Sequence, residues 1–524
     1  MLHVVWFKRD LRVHDHAPLS AAAAAGLVLP LYVLEPQLWQ QPDAADRHWA
    51  FVRESLIELD GALRQRGQPL YLVVDEMLSA LQQLYTRHGA FRLWSHEETG
   101  NLWTYARDRA VGQWMRERGL IWTELPQNGV VRRLRSRDGW AMRWEARMAE
   151  PRARAPETLP RVIEAGPFPA DLRPPGLAPD PGCPHRQIGG RRAGVETLRS
   201  FLAERGARYH REMSSPLTAF DSCSRLSAHL AWGTLSLREV VQATRARITE
   251  VRQAPADPHP MSIRALQAFV GRLHWHCHFI QKLEDEPELE IRNAHPAYDG
   301  MREHAFDEAR FTAWCTGRTG LPFVDACMRA LVATGWINFR MRAMLMAVAS
   351  YHLWLHWREP ALHLARQFTD YEPGIHYPQA QMQSGTTGIN TIRIYNPVKQ
   401  GLDHDPDGLF IRRWVPELAC VPGAGVHQPW TLSASTRREL GLQYPAPIVD
   451  PVDAARQARD RVWAVRRGTA FHDTADAIQQ KHGSRRAGLP ATTRPSSRRR
   501  RPPAAQLALA WAADDAANPD DGGV

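Results

Sequence analysis

The stretch HVVWFKRDLRVHDHAPLSAAAAAGLVLPLYVL (residues 3–34) joins two apolar runs, HVVWF (3–7) and VLPLYVL (28–34), through a segment with a helical pattern. Both runs have the β-branched and aromatic composition of buried strands. Three similar runs follow, at 70–74, 91–94 and 120–125. Strands that alternate with helices in this way are typical of a parallel sheet with right-handed crossovers. The first part of the chain therefore predicts a doubly wound, Rossmann-like α/β domain.

One helix of this region shows which face it buries. Trp49, Val52, Leu56, Leu59 and Leu63 recur every three or four residues, as on one side of a helix. No GxGxxG follows the first strand, and no GxxxxGK[ST] occurs in the chain. We therefore expect neither a standard dinucleotide site nor a nucleoside triphosphate site in this domain.

Composition divides the chain into four parts, of which the α/β domain is expected to cover residues 1–130. Ten of the 39 prolines fall within residues 151–184, and such a density excludes long helices. Residues 131–197 are therefore predicted to form a Pro-rich connector over the surface. Long amphipathic patterns predict a mostly helical domain over residues 198–466. The Pro, Ser, Arg and Asp bias of residues 467–524 predicts a disordered basic tail.

Charge and cysteine usage limit the class of protein. The 524 residues carry a formal net charge of +10, and eight Lys or Arg against four Asp from Lys481 onward leave about +6 for the rest. Such a charge permits a polyanionic partner, because Lys and Arg release phosphate counterions on binding. The apolar run at residues 21–34 is too short and interrupted to span a bilayer. Six scattered cysteines without a CxxC pair predict reduced thiols, so a cytoplasmic protein without membrane contact is expected.

The segment YHREMSSPLTAFDSCSRLSAHLAWG (209–233) combines a helix start with hydroxyl and guanidinium groups. Asp221 or Ser222 is predicted to cap a helix. The side chains that would crowd its first turn belong to Ser222, Ser224, Arg225 and Ser227. Free amides and these groups suit a phosphate or pyrophosphate, but the same residues also suit an ordinary N-cap without a ligand. These residues alone leave both interpretations open.

Histidines and tryptophans in the second half also have two interpretations each. His274 and His278 in HWHCHF lie one helical turn apart beside Cys277, which suits a metal. No further ligand pair has matching spacing, so an aromatic helix that lines a pocket is favoured and no metal is predicted. Four indoles form either core or an electron relay, and their spacing does not choose between these roles; they are Trp314, Trp336, Trp354 and Trp357.

Arg340 and Arg342 alternate with apolar residues in GWINFRMR, and a buried guanidinium must be paired. The nearest plausible acids downstream are Asp370 and Glu372, within the polar, Pro- and Gly-broken run TDYEPGIHYPQAQMQSG (369–385). This run is predicted to be an irregular loop that brings carboxylates and amides to a planar polar ligand.

Six motifs carry a resemblance to a known family. They are WFKRDLRVHDHAPL near the N-terminus, YHRE…SCSRLS at 209–227, WCTGRTGLPFVDACMRALVATGW at 314–336, LHWRE at 355–359, TDYE at 369–372 and RIYNPVKQG…GLFIRRWVPEL at 393–418. In this order they resemble the photolyase/cryptochrome superfamily of blue-light flavoproteins. The resemblance implies an α/β domain that holds an antenna chromophore in some members, a connector, and a helical domain that binds FAD in a U shape.

By this resemblance, two groups of residues bind FAD. The phosphates and sugar would be held by Tyr209, Cys223, Ser224, Arg225, Leu226 and Ser227, with Cys223 where the family usually has Thr. Arg342 and Asp370 match the pair that lies against the flavin ring. The segment that begins with Asp370, Tyr371 and Glu372 matches the wall at its reactive edge. His376 falls about where the family places the residue that faces flavin N5.

The electron relay of the family departs from its usual pattern here. Trp314 and Trp357 match the distal and middle members of a three-Trp chain. The flavin-proximal member should lie near Ala380, and Gln379 and Met382 are also candidates because the segment is about two residues short. None of these is Trp, and no Trp occurs between Trp357 and Trp414. Tyr377 would then be a poorer donor, or photoreduction would be slow or follow another route.

The lesion pocket departs as well. Trp275 matches the indole that packs against a cyclobutane dimer, but Arg272 replaces the Glu proton donor of dimer-specific members and Phe339 replaces an Asn. These changes remove hydrogen bonds worth about 1 to 3 kcal/mol each.

Three functions follow from the resemblance. A monomeric DNA photolyase that acts on damaged DNA is the leading expectation. A cryptochrome-like photoreceptor with a signalling partner is the alternative, and the altered pocket and relay favour it. A light-independent FAD-binding or nucleic-acid-binding protein is the third. An antenna chromophore, where present, stays unidentified.

Overall fold

The computed structural model describes residues 1–180, 182–253, 261–467 and 469–484. Its N-terminal part is built on a parallel sheet of five strands, which are β1 (Leu2–Phe7), β2 (Leu27–Leu34), β3 (Tyr71–Val74), β4 (Phe91–His96) and β5 (Ile121–Leu125). The strand order is β3-β2-β1-β4-β5, so the chain starts in the middle and winds outward in both directions. The doubly wound sheet and all five strands predicted from periodicity are therefore confirmed.

Helices cover both faces of this sheet. They are α1 (Ala17–Ala25), α2 (Pro36–Trp39), α3 (Asp46–Arg64), α4 (Met77–His88) and α5 (Leu102–Glu117). The five apolar residues predicted for one face of α3 are all buried. Val4 of β1 pairs with Leu29 of β2 on one side and with Leu93 of β4 on the other, and all three are buried in one apolar core. Val5 and Phe7 belong to a second core, so both faces of β1 are buried.

The second part of the chain is helical, as predicted. Its helices are α6 (Trp140–Ala149), α7 (Arg191–Ala203), α8 (Tyr209–Glu212), α9 (Ala219–Ser222), α10 (Ser227–Ala231), α11 (Leu237–Gln253), α12 (Ile263–Asp285), α13 (Glu308–Cys315), α14 (Pro322–Thr334), α15 (Phe339–Ala347), α16 (Arg358–Gln367), α17 (Pro373–Ser384), α18 (Pro397–His404), α19 (Leu409–Trp414), α20 (Ala434–Glu439), α21 (Pro451–Val465) and α22 (Thr469–His482). A π-helical turn, Val348–His352, follows α15. No described helix combines the length and apolarity needed to cross a membrane.

The Pro-rich segment packs against the α/β domain, but helices occupy both ends of the predicted connector. Trp49 donates its indole N–H to the Leu172 carbonyl at 2.8 Å, which holds the segment against α3. Inside the range 131–197, however, α6 packs its Trp140 and Trp144 against His274 of α12, and α7 begins at Arg191. The connector is therefore shorter than predicted, because the apolar face of α6 is buried in the helical domain.

The prediction of disorder from residue 467 onward is wrong for residues 469–484, which form α22 and its end. Phe471 stacks on His295 with ring centroids 4.1 Å apart, and Glu286 pairs with both Lys481 and His482. Burial of Phe471 against the helical domain stabilises this helix despite its polar composition. The rest of the predicted tail, residues 485–524, lies outside the described residues.

The two domains meet along the loop that follows β1. Asp15 accepts hydrogen bonds from Ser236 and Arg238 of the helical domain. Gly233 has a positive φ of +66°, and a Cβ there would meet the carbonyl oxygen of Arg9 at 2.2 Å. Only glycine fits this close approach, so the domains contact each other through backbone as well as side chains.

Candidate functional site

A cavity of about 1740 Å³ lies in the helical domain. Pockets for drug-sized ligands measure roughly 300 to 1,000 Å³, so this cavity has room for a large cofactor and part of a second ligand. Most residues singled out in the sequence line it, namely Tyr209, Cys223, Ser224, Arg225, Ser227, Arg272, Trp275, Phe339, Arg342, Asp370, Tyr371, Glu372 and His376. Leu226 is instead buried in the core that also contains Tyr209.

A bidentate ion pair forms part of the cavity wall. The Nη1 and Nη2 atoms of Arg342 lie 3.0 and 2.8 Å from the two carboxylate oxygens of Asp370, and Nε donates to the Ile337 carbonyl at 2.7 Å. The guanidinium also lies 4.1 Å from the Phe368 ring centroid. This bidentate geometry fixes the orientation of both the guanidinium plane and the carboxylate plane. The predicted pairing of Arg342 with an acid in the segment 369–385 is therefore confirmed.

Donors without partners face the same cavity near the predicted phosphate-binding segment. The Arg225 guanidinium lies 4.1 Å from the Trp336 ring centroid, and burial lowers its pKa to about 10. Arg225 Nε and Ser227 Oγ are buried and have no hydrogen-bond partner among the described residues. Buried donors without partners are costly, so this wall suits an anionic group. Burial also raises the pKa of the Cys223 thiol to about 12, which keeps it protonated.

The helix cap predicted for this segment is wrong. Asp221 and Ser222 are the last two residues of α9, and Cys223 is its C-terminal cap. The Ser222 hydroxyl donates to a carboxylate oxygen of Glu212 instead of capping a helix. The next helix, α10, starts at Ser227 without a side-chain cap. Residues 223–226 form a short non-helical segment between α9 and α10, and Cys223, Ser224 and Arg225 of this segment line the cavity.

The polar run 369–385 is also not an irregular loop, since most of it forms helix α17. Glu372 caps this helix, with Pro373 in the first turn, where a missing N–H costs nothing. Pro378 lies inside the helix, which costs about 3 kcal/mol in isolation. Close packing on α12 offsets this cost, since a Cβ on Gly374 would lie only 2.8 Å from Ile280 Cα.

His376 is presented by this helix as a neutral side chain. Its Nε2 lies 2.8 Å from the Ala361 carbonyl oxygen, which can only accept, so Nε2 carries the proton. Burial lowers the pKa of His376 to about 4. At neutral pH the ring therefore has an unprotonated Nδ1.

Trp314 and Trp357 lie behind the cavity, in the largest apolar core of the helical domain. Their indole N–H groups donate to the Leu345 carbonyl at 3.2 Å and to Asn293 Oδ1 at 2.8 Å. Ala380 belongs to the same core and also lines the cavity. Phe368 and Tyr371 also belong to this core and line the cavity. The relay role of both tryptophans stays a prediction.

Sequence reasoning missed a group that joins the α/β domain to the cavity wall. Asp43 accepts hydrogen bonds from the hydroxyls of Tyr371 at 2.5 Å and Tyr377 at 3.2 Å. Arg9 lies 4.2 Å from the Trp232 ring centroid and 3.7 Å from a carboxylate oxygen of Glu372. Arg9 belongs to the first motif, WFKRDLRVHDHAPL, and was within reach of sequence analysis. No local signal distinguishes Asp43.

The residues matched to a lesion pocket lie on another wall. Trp275 is half-buried, with its ring centroid 4.8 Å from that of His278 and 5.8 Å from that of Phe279. Arg272, one turn earlier on α12, approaches the sulfur of Met213 at 3.6 Å. Phe339 is 37% exposed. The structure therefore brings an indole, a guanidinium and a phenyl ring to one cavity wall, without showing their role.

Within the described residues, one cluster has the spacing of metal ligands, and it is not HWHCHF. His274 packs edge-on against two tryptophans of α6, with centroids 4.9 and 5.0 Å apart. Asp10, His16 and His96 are fully buried together at the end of the sheet. The Asp10 carboxylate is satisfied by hydrogen bonds from His16, His96 and the Lys8 backbone, so the cluster is complete without an ion.

Two family models match the chain. One, described as DNA photolyase, matches residues 3–150, and the other, described as the FAD binding domain of DNA photolyase, matches residues 269–464. A deoxyribodipyrimidine photo-lyase of Streptomyces griseus is 32% identical over 485 residues, which are 87% of this chain and 98% of that protein.

Solved structures share the fold. A cryptochrome of Synechocystis sp. PCC6803 superposes with a TM-score of 0.76 at 24% identity, over 88% of this chain and 98% of that one. An archaeal photolyase from Sulfolobus tokodaii, described as holding two FAD molecules, superposes with a TM-score of 0.71 at 24% identity, over 88% of this chain and 100% of that one.

Proposed function

Because the chain belongs to the photolyase/cryptochrome superfamily, we propose that it is a light-driven, FAD-dependent enzyme that repairs pyrimidine dimers in DNA. One observation carries the proposal. The cavity wall that holds the Arg342–Asp370 pair, matched to the flavin, and the wall that holds Trp275, matched to the lesion, enclose the same space. A base that leaves the duplex could therefore lie beside the cofactor.

FAD is the cofactor, and the cavity offers groups that fit it. When bound and reduced, FAD supplies the photoexcited electron with which a cyclobutane ring is split. The buried donors of Arg225 and Ser227 would hold its pyrophosphate, with Tyr209, Cys223 and Ser224 around the sugar and Leu226 packed behind. Arg342 and Asp370 would orient the edge of the ring system. Tyr371, Glu372 and His376 would form the wall at its reactive edge, where Nδ1 of the neutral His376 can accept a hydrogen bond.

The lesion-facing residues would read a base differently from dimer-specific relatives. Trp275 would pack against the extruded bases, which bury apolar surface whatever their sequence. Arg272 offers a positive charge where a carboxyl group is expected. It can therefore donate hydrogen bonds to a phosphate or a carbonyl oxygen, but it cannot supply the proton that a protonated carboxyl group would donate. Phe339 adds apolar contact at the mouth of the cavity. Loss of two hydrogen bonds would weaken base recognition without removing the stacking surface.

Photorepair with chemically reduced flavin tests the proposal directly. The purified protein, with its FAD reduced so that the Trp relay is bypassed, is mixed with an oligonucleotide that carries one cyclobutane thymine dimer and is illuminated with blue light. We expect restored thymines, measured by chromatography, in the light and none in the dark. The variant Trp275→Ala should lose most of this yield because the dimer loses its stacking partner.

An unchanged dimer in the presence of bound, reduced flavin would contradict repair of this lesion. That result would favour another lesion or light sensing. A damaged strand that binds no better than an intact one, over a range of salt concentrations, would point the same way.

The Trp relay leads to a separate prediction about photoreduction. If Trp314 and Trp357 pass electrons toward the cavity, Trp357→Phe should slow the blue-light bleaching of oxidised FAD by about tenfold or more, because phenylalanine is far harder to oxidise. Trp463, which is 50% exposed and outside this core, supplies the control Trp463→Phe. Equal bleaching rates in Trp357→Phe and the unaltered protein would exclude this relay.

A cryptochrome-like photoreceptor is the second candidate function, favoured by the ring-free Ala380 and by Arg272 and Phe339. It would need a signalling partner, whereas the repair function needs damaged DNA. In either case we propose that the chain acts as a cytoplasmic monomer. A second, light-harvesting chromophore is compatible with the α/β domain, and its identity is not assigned.

A further inference from the structure

Lys282 brings a buried amine to the cavity wall without a carboxylate partner. It lies on α12, only 8% of the residue is exposed, and it lines the cavity. Its Nζ lies 5.0 Å from the ring centroid of Phe279. Within the described residues, no carboxylate oxygen lies within 4 Å of this Nζ.

The groups around Lys282 add positive charge rather than compensate it. Burial and the charge of Arg137 lower the pKa of Lys282 to about 7. The nearby carboxylates are engaged elsewhere, since Asp285 lies 3.4 Å from Arg137 and Glu286 lies 2.8 Å from Lys481 and 2.7 Å from His482. A desolvated cation without an anion is unfavourable, so this position is suited to an anionic ligand.

Aromatic rings lie next to this cation on the same helix face. Trp275, His278, Phe279 and Lys282 follow the spacing i, i+3, i+4 and i+7, and all four line the cavity. The helix rises about 10 Å from Trp275 to Lys282. Stacking surfaces beside a basic group are the arrangement by which proteins hold single-stranded nucleic acid, with bases on the rings and phosphates on the cations.

We propose that Lys282 binds a phosphodiester group of the DNA strand, next to the nucleotide whose base lies against Trp275. This inference rests on the proposed function and adds to it a backbone contact. The charge that acts on Lys282 comes from Arg137, whereas those that act on Arg225 come from Asp370, Cys223, Arg342 and Arg205. The two groups share no member, so Lys282 serves a part of the cavity separate from the site assigned to the FAD pyrophosphate.

The experiment compares the FAD-loaded protein with its Lys282→Met and Lys481→Met variants. Lys481 is a matched control, because it lies nearby but is 49% exposed and paired with Glu286. Binding of fluorescent single strands, one with a thymine dimer and one intact, is measured by anisotropy at several salt concentrations. We expect Lys282→Met to weaken the binding of both strands by about tenfold, which is about 1.4 kcal/mol. The slope of log K against log salt should fall by about 0.7, the value for one lost phosphate contact.

Two further measurements test whether the phosphate that Lys282 binds belongs to DNA or to FAD. Bound flavin per protein, from absorbance, should be unchanged in Lys282→Met, and the apoprotein should unfold at the same or a higher temperature because an unpaired buried charge is gone. A strand whose phosphate next to the dimer is replaced by a neutral methylphosphonate should bind more weakly to the unaltered protein but equally to the variant.

Unaltered affinity and salt slope in Lys282→Met would overturn the inference. Loss of flavin with unaltered DNA binding would also overturn it, by assigning the phosphate to FAD. If the unaltered protein does not prefer the damaged strand, the repair function fails, while the intact strand still reports whether Lys282 contacts a phosphate.

Discussion

Arg342→Met is expected to yield a protein that purifies without flavin and whose apo form is less stable by about 3 kcal/mol. Methionine keeps much of the apolar stem but removes both hydrogen bonds to Asp370, whose side chain is only 3% exposed. A buried carboxylate that loses its partner retains its full desolvation cost. The same loss removes the rigid pair that would orient the flavin ring, so stability and flavin retention should fall together.

The Arg329–Glu417 pair provides a matched control for this variant. It also has two hydrogen bonds, at 2.9 and 2.8 Å, although both run from Nη1 of Arg329 to the two carboxylate oxygens of Glu417. Its arginine is about as exposed as Arg342, at 22% against 23%. Neither residue lines the cavity. Arg329→Met should therefore lose about 1 kcal/mol or less and keep its flavin.

The measurements are the ratio of flavin to protein absorbance after purification and the thermal unfolding of both apoproteins. Full flavin content in Arg342→Met would remove the assignment of this pair to the cofactor. Equal loss of flavin in Arg329→Met would show that the effect reports stability alone.

Asp10→Asn is expected to destabilise the α/β domain by about 3 to 5 kcal/mol, because a carboxylate that only accepts is replaced by an amide that also donates. One Asp10 oxygen accepts from the Lys8 backbone at 2.7 Å, and the other from His16 at 2.9 Å and His96 at 2.7 Å. His16 Nδ1 already accepts from Leu19 N, so its proton cannot leave Nε2 without breaking that bond. In either orientation, the asparagine NH₂ would face another donor.

The effect of this substitution should depend on pH. Although burial opposes it, hydrogen bonds and charge from His16 and His96 hold the pKa of Asp10 well below its usual value. Its stabilising contribution is present above the unfolded value of 3.8 and is lost as the pH falls through the folded pKa. The difference between the two proteins should therefore be full at pH 7 and shrink in strong acid.

His96 adds a second, separate dependence. Burial lowers its pKa to about 3, so between pH 6.5 and 3 the unfolded chain binds a proton that the folded chain does not, and stability should fall as the pH drops through that window. Urea unfolding followed by circular dichroism at several pH values measures both effects. Asp453→Asn, at an exposed helix position, is the control and should change stability by less than about 1 kcal/mol. A similarly small change in the free energy of unfolding of Asp10→Asn would show that the hydrogen bonds of Asp10 contribute little to the stability of the domain.

The sequence alone determined the features that depend on local periodicity. Strands β1 to β5 and the buried face of α3 follow from patterns within a few residues, because a strand or helix face is set by the spacing of apolar side chains. The pairing of Arg342 with an acid downstream was also predictable, since a guanidinium in an apolar helix must find a partner.

Tertiary structure alone decided the rest, because the deciding contacts join distant residues. The run 369–385 has weak helix propensity and an internal proline, yet α17 forms because it packs on α12. Helix α22 forms because Phe471 is buried beside His295, about 175 residues earlier in the chain.

Asp43 reaches Tyr371 and Tyr377 only through the docking of the two domains. Lys282 could be recognised only once its neighbours and their missing countercharge were known, since charge compensation depends on distance in space and not in sequence.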